Sequence, residues 1–148
     1  MSKLVIMVGL PGSGKSTYLK RVYSEYTIIS TDSIRKEVHG QEECQDKAQQ
    51  IFNLAYYRIE KALSNNENVV FDATNLMARN RKYLCKRFRL FTNNIVAEYM
   101  NTPVDECIAR DEHRSRTVGA EVIQRMAKTM SEPRLDEGFD LVHIVGVL

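Results

Sequence analysis

The sequence has few of the residues that build disulfide-bonded, zinc-binding or membrane-spanning proteins. Its three cysteines and three histidines are scattered at unrelated spacings. Disulfides need paired cysteines and zinc sites need clustered ligands, so this pattern favours reduced thiols in a cytoplasmic protein and disfavours a zinc site. The apolar run Leu4–Val8 is too short for a signal peptide or a membrane segment, and we expect no membrane association.

Charge and composition exclude other classes. The net charge of +2 is too small to indicate a nucleic-acid-binding protein by itself, and repeats, linkers and low-complexity segments are absent. Hydrophobic content of 43% and charged content of 27% are typical of a globular protein. A length of 148 residues suits one compact domain, which we expect to span residues 1–148.

A phosphate-binding motif follows the first apolar run. The residues GLPGSGKS, 9–16, fit the pattern G-x-x-x-x-G-K-[ST] between a predicted strand and a predicted helix. A glycine turn in this context directs backbone N–H groups toward a polyphosphate, Lys15 reaches its terminal phosphates, and the Ser16 hydroxyl is a Mg²⁺ ligand. The alternative is a chance glycine turn. The predicted nucleotide-binding residues here are Gly12, Ser13, Gly14, Lys15, Ser16 and Thr17.

Carboxylates follow the next two predicted strands. After the strand at residues 27–30, Asp32 and Arg35 share one face of a new helix. Thr31 or Asp32 could be only the N-cap of that helix, or Asp32 could act as a base. The strand Val69–Asp72 ends in a carboxylate that can hold Mg²⁺, and Thr74 adds a polar group beside it.

The remaining segments alternate helices and strands. A core helix is predicted over residues 45–63, and helices are also predicted over 76–91, from Thr102 as cap with Pro103 in the first turn, and over 120–130. Strands are predicted over 94–100 and 141–145. This order predicts an α/β fold with a parallel sheet of about five strands, helices on both faces, and a ligand at the carboxyl ends of the strands.

Two groups of basic residues have alternative interpretations. On the helix at 76–91, four cations lie opposite the apolar side: Arg79, Lys82, Lys86 and Arg89. They form either a solvated face or a surface for the phosphates of a polyanionic substrate. Arg110, Arg114 and Arg116 form either a charged turn paired with Asp111 and Glu112, or a lid, about residues 110–119, that neutralises a transferring phosphoryl group.

Five motifs, in order and spacing, resemble the kinase domain of the bacteriophage polynucleotide 5′-kinase family and its bacterial relatives. They are GLPGSGKST, STDSIR, FDATNLMARNR, RDEHRSR, and VIQRMAKTM with EP and EGFD following. The resemblance covers nearly the whole chain. It implies the P-loop kinase fold, ATP and Mg²⁺ as cofactors, and phosphoryl transfer to a hydroxyl.

The resemblance also implies roles for individual residues. Lys15 and Ser16 match the phosphate-loop pair, Asp32 matches the general base, and Arg35 matches the arginine that contacts a phosphate of the acceptor. Asp72 matches the strand-end carboxylate, which we place with Thr74 in the substrate-binding set, and Arg110 and Arg114 match the two lid arginines.

The chain departs from the family pattern at two lid positions. Asp111 stands where Asn is usual, and Gly119 stands where Pro is usual. Both departures bear on the electrostatics and closure of the lid.

We therefore expect a kinase that uses ATP or another nucleoside triphosphate to phosphorylate the 5′-hydroxyl end of DNA or RNA. A kinase of the same fold that acts on a nucleoside, sugar or antibiotic remains an alternative, because one fold hosts many substrates. A regulator that binds nucleotide and hydrolyses it slowly is a third possibility. It would have no need of a base at Asp32, and the oligomeric state is left open.

Overall fold

A computed structural model describes residues 2–38, 47–114 and 117–146 of the chain. It contains five strands: β1 (Leu4–Val8), β2 (Thr27–Ser30), β3 (Val69–Asp72), β4 (Ile95–Met100) and β5 (Leu141–Val145). All five correspond to strands predicted from the sequence. The predicted α/β fold with a five-stranded parallel sheet is therefore confirmed.

The sheet order is β2-β3-β1-β4-β5, and every neighbouring pair is parallel. β1 is central, and all five of its residues are buried. In the register, Ser30 pairs with Asp72, so β2 and β3 end side by side. Parallel strands bring their carboxyl ends to one edge of the sheet, and the loops that follow these strands meet there.

The helices are α1 (Lys15–Val22), α2 (Thr31–Val38), α3 (Lys47–Ser64), α4 (Ala78–Phe88), α5 (Val104–Glu112) and α6 (Ala120–Thr129). A 3₁₀ turn, Leu135–Glu137, precedes β5. All six of these helices lie where helices were predicted, with ends that differ by a few residues. Residues 45–46 of the predicted core helix lie outside the described residues. Within the described ranges, no helix is long and apolar enough to cross a membrane.

Alternating residues of β1 pack into separate cores on the two faces of the sheet. Leu4, Ile6 and Val8 pack in one core with buried residues of α2, α3 and α4. Val5 and Met7 pack on the other face with Leu19 of α1. A third apolar cluster lies at the carboxyl edge, where Leu10 contacts α5 and α6. The phosphate-binding motif thus packs against both α5 and α6.

Thr102 does not cap α5, which corrects one sequence prediction. Pro103 occupies the N-cap position without a side-chain hydrogen bond. The Thr102 hydroxyl instead donates to the Ser13 carbonyl at 2.8 Å. Thr102 therefore connects the segment before α5 to the glycine-rich loop, a contact that local sequence could not indicate.

Candidate functional site

The motif at residues 9–16 forms a loop between β1 and α1. Gly12 has φ of 80°, a left-handed conformation that favours glycine. A Cβ atom at this position would clash with the backbone carbonyl oxygen of Cys107 in α5. Gly12 is therefore required both by its backbone angle and by the close approach of α5.

Lys15 is partly buried against this loop. Its ammonium donates to the carbonyl oxygens of Gly9 and Leu10, both at 2.9 Å. Burial lowers the pKa of Lys15 to about 8, while the negative charge of Asp72 opposes that shift. Lys15 therefore remains a cation at neutral pH, as phosphate binding requires.

The loop fits a polyphosphate in a second respect. Within the described part of the chain, Ser13 Oγ is the one buried side-chain nitrogen or oxygen without a hydrogen-bond partner. Buried polar atoms are usually paired, so an orphan here is consistent with a site whose partner is a ligand. Ser13 lines the cavity described next.

A cavity of about 960 Å³ lies at the carboxyl edge of the sheet. It is lined by residues from the phosphate loop, the starts of α1 and α2, the end of β3, and the α5–α6 region. Every site residue predicted from the sequence lines it: Gly12, Ser13, Gly14, Lys15, Ser16, Thr17, Asp32, Arg35, Asp72, Thr74, Arg110 and Arg114. The fold therefore brings together residues that are as far apart in sequence as 12 and 114.

Asp32 lies in the first turn of α2 but does not cap it. The Ser33 N–H donates to Ser30 Oγ at 3.3 Å, so Ser30 provides the cap. Neither Thr31 nor Asp32, the two caps that the sequence suggested, has this role. The Asp32 carboxylate instead accepts from Arg35 Nη1 at 2.6 Å and remains 71% exposed at the cavity.

Asp72 ends β3 beside the phosphate loop. Burial raises the pKa of Asp72, the charge of Lys15 opposes this, and the charge of Asp32 adds to it. The Gly9 N–H donates to the Thr74 carbonyl at 3.0 Å, which fixes the β3 end against the loop. The three charged groups therefore act on one another across the same cavity.

The donors present suit a magnesium ion. Ser16 and Asp72 would hold it through a hydroxyl and a carboxylate oxygen, the hard ligands that Mg²⁺ prefers. Such sites use one or two protein ligands, and water and substrate phosphates complete the octahedron. Across the described ranges, no group of three or more His, Cys, Asp or Glu side chains is placed to hold a metal by itself.

Arg110 and Arg114, the two arginines predicted for a lid, pair with carboxylates at the cavity. Arg110 Nη2 lies 2.8 Å from Glu106 Oε1, and Arg114 Nη2 lies 3.5 Å from Asp111 Oδ1. Arg110 Nη1 also lies 3.0 Å from the position of a Cβ on Gly14, so its guanidinium is against the phosphate loop. Arg116, the third predicted arginine, lies outside the described residues.

The basic stripe on α4 lies away from this site. Arg79, Lys82 and Lys86 are exposed, and no residue of α4 lines the cavity. Arg89 pairs with Asp140 at 2.8 Å, and Asp140 also accepts from the N–H of Ile95 at the opposite edge of the sheet. This arrangement favours the solvated-face interpretation of the stripe.

Arg81 is a buried ionic residue whose role the sequence did not indicate. It pairs with Glu137 through Nε at 2.7 Å and Nη2 at 3.0 Å, and both side chains are almost fully buried. Its Nη1 also donates to the Asn75 carbonyl at 2.9 Å, and Nη2 to the Glu132 carbonyl at 3.1 Å. Arg81 thereby connects the β3–α4 loop to the segment that follows α6.

Asn75 extends this connection to the central strand. Its φ of 48° is left-handed, and its side-chain amide donates to the Met7 carbonyl at 2.7 Å. Glu137, the carboxylate partner of Arg81, is 56 residues away in the sequence. Local periodicity cannot identify such a partner.

The cavity also has lining residues that the sequence prediction did not include. Among them are residues of α1, α3, α6 and the β5 end: Tyr18, Arg21, Phe52, Met126 and Val145. Nothing in the spacing of these residues distinguishes them from ordinary helix or strand positions.

Comparison with known proteins assigns most of the chain to one family. The AAA domain family matches residues 4–133. The L-seryl-tRNA(Sec) kinase of Methanococcus maripaludis is 28% identical over 95% of this chain. The chain spans 57% of the length of that relative.

Two solved structures share the fold. A chain of the Pnkp1/Rnl/Hen1 RNA repair complex has a TM-score of 0.74 and 24% identity; the match covers 86% of this chain and 43% of that one. A gluconokinase from Sinorhizobium meliloti 1021 has a TM-score of 0.64 and 21% identity, with 98% of this chain and 82% of that one covered. The chain thus has the P-loop kinase fold and belongs to the AAA domain family.

Proposed function

We propose that this protein is a kinase that transfers the γ-phosphoryl group of ATP to the 5′-hydroxyl end of DNA or RNA. The observation that supports this most directly is the composition of one cavity. It is lined by the phosphate loop with Lys15, by the Asp32 carboxylate paired with Arg35, and by the two arginines proposed for the lid. A phosphate-binding cation and a candidate base that line one cavity are what hydroxyl phosphorylation needs.

In the proposed reaction, the acceptor hydroxyl oxygen attacks the γ-phosphorus. The bond from that phosphorus to the bridging oxygen breaks, and ADP leaves with the electron pair. Asp32 accepts the hydroxyl proton, while Arg35 holds the carboxylate in place. Lys15, Arg110 and Arg114 supply positive charge to the phosphates. Bound Mg²⁺ would supply further charge neutralisation to the phosphate oxygens.

Arg35 supports a polynucleotide acceptor over a small neutral one. It lines the cavity beside the proposed base, where the nearest phosphate of an oligonucleotide end would lie. The similarity to a tRNA kinase and to a chain of an RNA repair complex adds support, since both of those proteins concern RNA. The gluconokinase likeness supports the competing proposal, a kinase for a sugar or another small hydroxyl compound.

One experiment separates these proposals. The protein is incubated with Mg²⁺, γ-labelled ATP and a panel of 5′-hydroxyl DNA and RNA oligonucleotides, nucleosides and sugars, and label transfer is measured. We expect kcat/KM to be highest for an oligonucleotide. Lys15→Ala, the control, should abolish transfer because the phosphates lose their fixed cation.

A nucleoside or sugar with a higher kcat/KM than every oligonucleotide would support the small-molecule alternative. Slow ATP hydrolysis without transfer to any member of the panel would support a regulator instead.

A further inference from the structure

The α5–α6 connection is held by the carboxylate of Asp111, one of the two lid residues that depart from the family pattern. This side chain is only 2% exposed. It accepts the Val118 N–H on both oxygens at 3.0 Å and the Gly119 N–H at 2.9 Å. A buried carboxylate is costly unless it is paired and hydrogen-bonded, and these contacts supply that compensation.

Gly119 makes this arrangement possible. It is the N-cap residue of α6, with φ of 105° and no side-chain cap bond of its own. Proline at this position would have no N–H to donate and could not adopt a positive φ. Asp111 therefore lies where it accepts the N–H groups just before α6, close to the positive end of that helix.

Burial by itself would raise the pKa of Asp111. The hydrogen bonds from Gly119 and Val118, together with the charge of Arg114, lower it below its ordinary value. The carboxylate is therefore charged at neutral pH, and it connects the last turn of α5 to the start of α6 as an anion.

Arg114 depends on Asp111 through both its backbone and its side chain. Its N–H donates to the Asp111 carbonyl at 3.1 Å, and its guanidinium lies 3.5 Å from the Asp111 carboxylate. The same Arg114 lines the cavity together with Val118. The residues that Asp111 holds are thus the ones that face the phosphate loop.

The helix on the other side of this connection is fixed relative to that loop. Ile123 of α6 is fully buried in an apolar cluster with Leu10 of the phosphate loop and Cys107 of α5. Because α6 packs on the loop, a bond between Asp111 and the start of α6 also sets the distance between Arg114 and the loop.

We propose that Asp111 is a positioning residue that acts through Arg114: its carboxylate joins the end of α5 to the start of α6 and so holds Arg114 at the cavity. The effect on catalysis rests on the proposed kinase function, whereas the effect on the α5–α6 connection does not. A merely structural role would destabilise the protein without any dependence on Arg114.

A double-mutant cycle separates the two roles. Asp111→Asn preserves size but replaces one acceptor oxygen with a donor and removes the charge. We expect it to lower kcat about tenfold with Arg114 present and by less than about twofold in Arg114→Ala, since residues that act through one another are non-additive. The matched control is Glu112→Gln, which removes an exposed negative charge one residue later, and its kcat should stay within about twofold of wild type.

If Asp111→Asn lowered kcat by the same factor with Arg114 and with Ala at position 114, the positioning role would be overturned. If wild-type protein phosphorylates no acceptor, the same cycle is measured on ATP affinity. We then expect Asp111→Asn to change the Kd for ATP by at least about twofold when Arg114 is present, and to leave it unchanged in the Arg114→Ala background. An equal change in both backgrounds overturns the proposal there too.

Amide exchange tests the connection without any turnover. NMR-detected hydrogen exchange at Val118 and Gly119 should be at least about tenfold faster in Asp111→Ala than in wild type, because both N–H groups then lose their acceptor oxygens. Unchanged exchange would show that Asp111 does not hold this segment. This measurement needs neither ATP nor an acceptor, so its failure is distinguishable from failure of the proposed kinase activity.

Discussion

At the scale of single residues, the availability of Asp32 depends on the side chain two positions before it. Ser30 accepts the N–H of Ser33, so the cap of α2 is provided from the last residue of β2. The Asp32 carboxylate is left to pair with Arg35 at the cavity. Spacing alone left two roles open for Asp32, the N-cap of α2 and a base. The hydrogen bond from the Ser33 N–H assigns the cap to Ser30.

The role of Asp32 as a base predicts the behaviour of Asp32→Asn. The amide keeps the size of the side chain but cannot take the hydroxyl proton, so kcat should fall by about 10² to 10⁴. ATP affinity and melting temperature should stay near wild type, since Asp32 neither caps α2 nor belongs to the phosphate loop. Steady-state kinetics, nucleotide titration and thermal melting measure these three quantities.

Ser30→Ala is the matched control two residues earlier. Losing the cap should lower stability by about 1 kcal/mol while leaving kcat within a few-fold of wild type. If Asp32→Asn instead lowered the melting temperature and preserved kcat, the assignment of Asp32 as the base would be wrong.

At the scale of elements, the strands were predictable because burial leaves a strong pattern. Strands β1, β3 and β4 are covered on both faces, and strands buried in this way have the nearly continuous apolar runs that the sequence contains. The phosphate loop was equally predictable, since its chemistry requires fixed residues at fixed spacing between a strand and a helix. Because the strands are parallel, the side chains that follow each strand lie together at the carboxyl edge of the sheet, so their proximity was also predictable.

Contacts between distant segments were not predictable. The Thr102 hydroxyl bonds to a loop 89 residues away, and Arg81 pairs with a carboxylate 56 residues away. The sequence offered Thr102 a local role, the N-cap of α5, and indicated no partner for Arg81. Tertiary contacts override such local preferences, and one sequence carries no signal for them.

The connection made by Arg81 predicts a large loss of stability in Arg81→Met. The substitution leaves Glu137 as a buried charge without its cation and removes donors from the Asn75 and Glu132 carbonyls. Breaking a buried pair from one side typically costs about 3–5 kcal/mol. Urea unfolding monitored by circular dichroism should therefore show a much lower free energy of unfolding.

Arg79→Met provides the comparison on the same helix. Arg79 is exposed, so its loss should change the free energy of unfolding by no more than about 0.5 kcal/mol. Similar values for the two variants would mean that the buried pair does not hold the β3–α4 loop.

At the scale of the whole molecule, the two basic groups lie in different places relative to the cavity. Arg35, Arg110 and Arg114 line it, whereas the α4 stripe does not. The parallel sheet causes this separation, because α4 runs from the carboxyl edge toward the opposite edge, where Arg89 meets Asp140. Cations that meet a polynucleotide end should therefore come from the cavity set and not from the stripe.

This separation predicts how acceptor binding responds to salt. A protein that contacts about two phosphates of a single strand loses roughly sevenfold in affinity over about a fourfold rise in salt, from a slope of about −0.7 per phosphate. We expect the KM of a 5′-hydroxyl oligonucleotide to rise accordingly, while the KM of the matching nucleoside does not change with salt.

Arg35→Gln should raise the oligonucleotide KM at low salt and reduce the magnitude of the slope by about 0.7, because one phosphate loses its cation. Lys82→Gln, which removes an exposed stripe cation of the same charge, should leave the slope unchanged. An oligonucleotide KM without salt dependence, or a slope that Lys82→Gln reduces as much as Arg35→Gln does, would contradict this assignment of the acceptor surface.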